Sequence, residues 1–123
     1  MKLYLYVGLG GAIGAMCRYG LSTITVKSSF PLMTFLTNLL GAIIIGLIMG
    51  ISAGASLSSE LMSLLKTGFC GGFTTFSTFS LETVTLLQNR QYGVGAAYAL
   101  LSLICCIMGV TIGMALGSLL VKG

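Results

Sequence analysis

The stretch Gly68-Phe69-Cys70-Gly71-Gly72-Phe73-Thr74-Thr75-Phe76-Ser77-Thr78-Phe79-Ser80 sets paired glycines and a run of hydroxyl side chains inside an apolar segment. Gly71 and Gly72 loosen a helix, while Thr74, Thr75, Ser77, Thr78 and Ser80 offer hydroxyls that capture the backbone groups so released. At membrane depth a broken helix persists only where it is buried in protein or lines a watery cavity. Its two new ends differ in sign: carbonyls closing the first half carry partial negative charge, and amides opening the second carry partial positive charge. One break therefore supplies a cation site and an anion-friendly site, and the chemistry it predicts is ion handling. Phe76 and Phe79 share a face of the second half, and their ring edges carry the positive end of the aromatic quadrupole. Ordinary packing is the competing reading for that pair.

The elements that must position this break are membrane helices. The chain has 123 residues, 56% of them hydrophobic and 7% charged, with a mean hydropathy of +1.07. Such a chain lacks the charged surface of a soluble domain and reads as an integral membrane protein. Since a crossing takes about 20 apolar residues, the length accommodates roughly four crossings and no soluble domain. The spacing predicts one four-helix transmembrane domain with spans at about 3–24, 32–53, 61–88 and 94–120, the third broken at Gly71-Gly72. Met1 to Tyr6 has the outline of a signal peptide, but no small-residue cleavage site follows an uninterrupted apolar core, so the segment is expected to stay as the first span.

Each span carries its own marks. In the first, Gly10, Gly14 and Arg18 stand four apart on one face with Gly11 and Ala15 beside them, a pattern that admits a close neighbour. Arg18 serves a site or vestibule, or else snorkels from near the end of the span. Pro31 suits the first turn of the second helix, where no amide bond is lost. Thr34, Asn38, Ala42, Gly46, Gly50 and Gly54 then make a stripe that starts polar and continues small. A buried Asn38 must satisfy two donors and an acceptor, by bonding a neighbouring helix or by contacting ions and water. Ser58 or Ser59 is placed to cap the third helix. In the last span Tyr98, Ser102 and Cys106 descend one face, and Gly109, Gly113 and Gly117 form a packing stripe.

Charges and thiols narrow the function. The net charge is +4 from scattered Lys and Arg, and Glu60 and Glu82 are the only carboxylates. No basic run suggests nucleic acid. With no His in the chain, Cys17, Cys70, Cys105 and Cys106 read as small buried hydrophobes and not as a metal centre. An enzyme is not expected: a serine nucleophile would have only Lys66 as a base. Lys2, Lys66 and Lys122 fall on one side and Lys27 and Arg90 on the other, so the positive-inside rule has little to act on. The chain is expected to insert both ways and pair as an antiparallel homodimer, the glycine stripes supplying packing surface. Hydroxyls, the Asn38 amide, aromatic edges and Arg18 favour an anion over a cation as the permeant ion.

The run Gly71-Gly72-Phe73-Thr74-Thr75-Phe76-Ser77-Thr78-Phe79-Ser80 resembles the signature of the Fluc (CrcB-type) fluoride channels. Gly10-Gly11-Ala12-Ile13-Gly14 with Arg18-Tyr19 resembles that family's first helix, and Pro31 to Thr34 leading to Thr37-Asn38-Leu39-Leu40-Gly41 the start of its second. The order and spacing of these motifs span most of the chain. The resemblance implies a passive, fluoride-selective channel in the cell membrane, an antiparallel dimer with two pores that exports fluoride. It implies a structural sodium ion at the dimer centre on the carbonyls of Gly71 and Thr74. It also implies a fluoride pore of Phe76, Phe79, Asn38, Ser77, Thr78, Tyr98 and Ser102, with Arg18 in the vestibule and Glu82 near the other mouth. Cys106 departs from the pattern, which commonly continues the polar track with Ser; a thiol is the weaker donor. The chief rival is a small multidrug-type dual-topology exporter, which needs an acid in its first helix where this chain has Arg18. A purely structural subunit would leave the hydroxyl-rich break unexplained.

Overall fold

A computed structural model describes residues 1–122, and the elements among them are all helical. Helix α1 is Lys2–Ser22 and α2 is Leu32–Gly54. Helix α3 covers 59–73, beginning as Ser59–Met62, winding as a π-helix through Ser63–Cys70 and closing with Gly71–Phe73. After an extended pair of residues come α4, Phe76–Gln88, and α5, Tyr92–Lys122. Both α2 and α5 are long and apolar enough to cross a membrane. Ser58 is the residue that caps α3, its hydroxyl accepting the Leu61 amide at 3.2 Å.

The helices pack as two pairs. Along α1 and α3 the residue numbers rise together: Gly10 lies on the backbone of Leu64, and Gly14 on that of Phe69 and Phe73. Along α2 and α5 they do so again, Gly46 lying on Val110 and Gly50 on Met114, while Gly113 meets Ile43 and Gly117 meets Leu47. Each pair is therefore parallel, and backbone sits on backbone because no Cβ intervenes. The buried positions are dominated by glycine, whereas Leu100, Leu103, Ile104, Ile107 and Ile112 of α5 point outwards. Small residues inside and large apolar ones outside is the order expected when the solvent is hydrocarbon, since lipid takes up the Leu and Ile side chains as readily as a core does.

The structure corrects the expected position of the break, the expected use of the glycine stripes and the expected burial of one cysteine. The break does not fall at Gly71-Gly72, which are helical; it falls at Thr74 and Thr75, whose ψ angles are 158° and 110°. Gly72 serves close approach instead, because a Cβ there would collide with the Gly11 backbone. The glycine stripes are also consumed inside the protomer and offer no surface to a second copy. Of the cysteines, Cys70 is buried as expected, but Cys17 is exposed.

Candidate functional site: the junction at Thr75

The interruption after Phe73 is bridged by side chains that take over part of the lost helical bonding. The Thr74 amide still reaches the Cys70 carbonyl at 3.0 Å, and the Thr74 hydroxyl donates to the same oxygen at 2.8 Å. The Thr75 amide, which in a continuous helix would bond Gly71, instead donates to Asn38 Oδ1 at 2.8 Å. Asn38 Nδ2 returns the bond to the Thr75 carbonyl at 3.2 Å. Asn38 thus reads one residue of backbone on both its donor and its acceptor, as a neighbouring strand would. Thr75 Oγ1 then caps α4 by accepting the Thr78 amide at 3.2 Å, and it donates to Thr78 Oγ1 at 2.9 Å.

What remains open follows by subtraction. The Gly71 and Thr74 carbonyls lose their usual helical donors, the amides of Thr75 and Thr78, to Asn38 and to the Thr75 hydroxyl. The Gly72 carbonyl is taken by Arg18, whose Nε donates to it at 3.0 Å. The end of α3 therefore presents carbonyl oxygens, and the start of α4 presents the amides of Phe76 and Ser77. This oxygen-only donor set suits a hard monovalent cation, so the residues fit the sodium site that the resemblance implies.

Two cavities meet at Thr75, which lines both. The larger, a groove of about 590 Å³, is bordered by Asn38, Gly71, Thr74, Phe76, Phe79, Ser102 and Cys106, and it runs along α3 and α5 to Lys66 and Val110. The smaller, about 310 Å³, holds Arg18, Ser22, Thr34, Thr37 and Thr78. Because the helix pairs are parallel, Lys66 lies beside the early turns of α1 and Arg18 beside the last, and the cavities extend towards opposite ends of the molecule.

The predicted residues are distributed unevenly over this geometry. Asn38, Phe76, Phe79 and Ser102 line the groove; Arg18 and Thr78 line the smaller cavity. Ser77 is exposed, and its hydroxyl lies 3.4 Å from that of Thr75. Phe76 is 79% exposed, with its ring centroid 5.5 Å from that of Phe79. Tyr98 lines neither cavity: it is 0% exposed, packs its ring against Phe79 and Phe30 at 5.2 and 5.3 Å, and donates its hydroxyl to Glu82 at 2.7 Å. Glu82 takes a second donor at 2.8 Å from Thr34, so the carboxylate ties α2, α4 and α5 together.

Ser102 is set apart by what it lacks. Ser80, Thr83 and Thr85 turn their hydroxyls back onto carbonyls of their own helix at 2.8 Å. The Ser102 hydroxyl is buried at the groove wall with no partner among the described residues. A buried hydroxyl so placed is an available donor to whatever occupies the groove. Sequence reasoning missed Lys66 and Thr67 on the groove and Thr37 in the smaller cavity. For Thr37, its place next to Asn38 in a helix with few polar residues was the available clue; Lys66 stood out only as an isolated charge.

A family model described as "CrcB-like protein, Camphor Resistance (CrcB)" matches residues 5–114. The chain is 44% identical over 124 residues to the fluoride-specific ion channel FluC of Clostridium perfringens, covering 98% of this chain and 97% of that one. It is 41% identical over 124 residues to the protein of that name from Thermus thermophilus, covering 98% and 99%. With the fluoride-specific ion channel FluC 2 of Bacillus subtilis it shares 44% identity over 117 residues, covering 95% and 88%.

Proposed function

The chain belongs to the CrcB family, whose members are channels and not enzymes, and from that premise we propose that it is a fluoride-selective channel of the cell membrane that exports fluoride passively. The observation that carries this reading is the unpartnered Ser102 hydroxyl in a groove bounded by Asn38, Phe76 and Phe79. A small, strongly hydrated anion enters such a groove only if donors replace its water, and hydroxyl, amide and ring-edge contacts do so without a fixed charge that would hold it. Asn38 spends one amide hydrogen on Thr75 and keeps one for the path. We assign fluoride a route past Phe76, Phe79, Asn38, Ser77, Thr78 and Ser102, with Arg18 in one vestibule. Tyr98 and Glu82 enter this proposal as the support behind Phe79. Fluoride efflux from liposomes holding this chain alone is the experiment that tests it.

The assembly proposed is an antiparallel homodimer of four-span protomers, in which α3 and α4 together make the third crossing. It rests on the count of Lys2, Lys66 and Lys122 against Lys27 and Arg90, and on the open face at Gly71 and Phe76. Adding lysines to the Ser56–Ser59 loop should lock one topology and cut flux at least about tenfold, and an oppositely locked copy should restore it. Undiminished flux from a single locked topology would contradict the antiparallel pair. At the dimer centre we place a sodium ion on the Gly71 and Thr74 carbonyls of both copies. Anomalous scattering from a substituted heavier monovalent cation should appear on the twofold axis, and its absence there would remove the site.

A further inference from the structure

Lys66 is the only charged residue on the wall of the larger groove. It stands on the π-helical part of α3, eight residues before the break at Thr74, and it is exposed. Neither carboxylate of the chain is committed to it: Glu82 is bonded by Thr34 and Tyr98, and Glu60 by Ser59. Arg18, the only charged residue of the smaller cavity, is by contrast tied to the Gly72 carbonyl. Each of the two cavities meeting at Thr75 thus carries one positive charge, and only that of Lys66 has no partner among the described residues.

We propose that Lys66 is an electrostatic collector for the larger groove, raising the local concentration of fluoride at that mouth and so the rate at which the anion reaches Ser102 and Phe79. A lone charge on low-dielectric walls focuses its field along the cavity, and such focusing speeds the entry of a small counter-ion. An ammonium on a flexible stem is strongly hydrated, so it attracts the anion through water without binding it in place. The effect belongs to entry: it acts at fluoride concentrations below saturation and fades as salt shortens the range of the charge.

This inference rests on the channel reading, and one experiment separates the two. Fluoride flux is measured at low fluoride in liposomes of zwitterionic lipid for the wild type, Lys66→Arg, Lys66→Gln and Lys66→Glu, in about 10 mM and about 1 M of an impermeant salt, where the screening length falls from about 30 to about 3 Å. The expected result is a loss of about threefold for Lys66→Gln and about tenfold for Lys66→Glu at low salt, near-wild-type flux for Lys66→Arg, and convergence of all four at high salt. Equal flux at low salt overturns the role of Lys66 and leaves the channel intact. A loss that persists unchanged at high salt, or that Lys66→Arg shares, shows a structural role and also overturns it. Should Lys66→Glu fail to assemble, the Arg and Gln variants decide between the same outcomes. A wild type that passes no fluoride ends the channel reading itself.

Discussion

Phe76→Ile and Phe79→Ile are each expected to cut fluoride efflux about tenfold or more, with the fold of each chain unchanged. The rings stand 5.5 Å apart at the groove wall, and Phe79 is held from behind by Tyr98 at 5.2 Å. Isoleucine keeps apolar bulk and removes the positive ring edge. At the point where the anion has least water, a lost contact of about 1.4 kcal/mol is a tenfold change in rate. Phe76 is 79% exposed in the protomer, so its replacement leaves the fold of the single chain undisturbed. Wild-type flux from both variants would make these rings packing residues, the reading that their spacing alone equally allows.

Gly113→Leu is expected to destroy the fold, costing about 3 kcal/mol or more. The Gly113 Cβ position lies against the carbonyl of Ile43 and the amide of Leu47, and backbone cannot move aside as a side chain can. Gly93 is the control: nothing lies within 4 Å of a Cβ there, and Gly93→Ala should purify as the wild type does. Aggregation of the first variant with monodisperse recovery of the second is the pattern to look for by size-exclusion chromatography in detergent. Normal behaviour of Gly113→Leu would mean that α2 and α5 do not meet as described.

The glycine spacing made the packing faces legible, because a stripe of small residues at intervals of four has few other uses in lipid. It did not say which helix each stripe would meet. Stripes on α2 and α5 satisfy one another, and that depends on a parallel pairing that no local pattern encodes. The break was legible to within a few residues for a similar reason. Gly71 and Gly72 signal looseness, yet the helix ends where a partner exists to take over its bonds, and that partner is Asn38, from another helix. Tyr98 shows the same limit: its spacing with Ser102 suggests a shared lining, while the Glu82 carboxylate draws its hydroxyl away from the groove.

Fluoride selectivity is read with a fluoride electrode outside liposomes that contain this one purified chain and are loaded with fluoride and chloride together. The expected result is rapid fluoride release once charge balance is permitted, with chloride retained. Fluoride retention, or release of both anions alike, would contradict it.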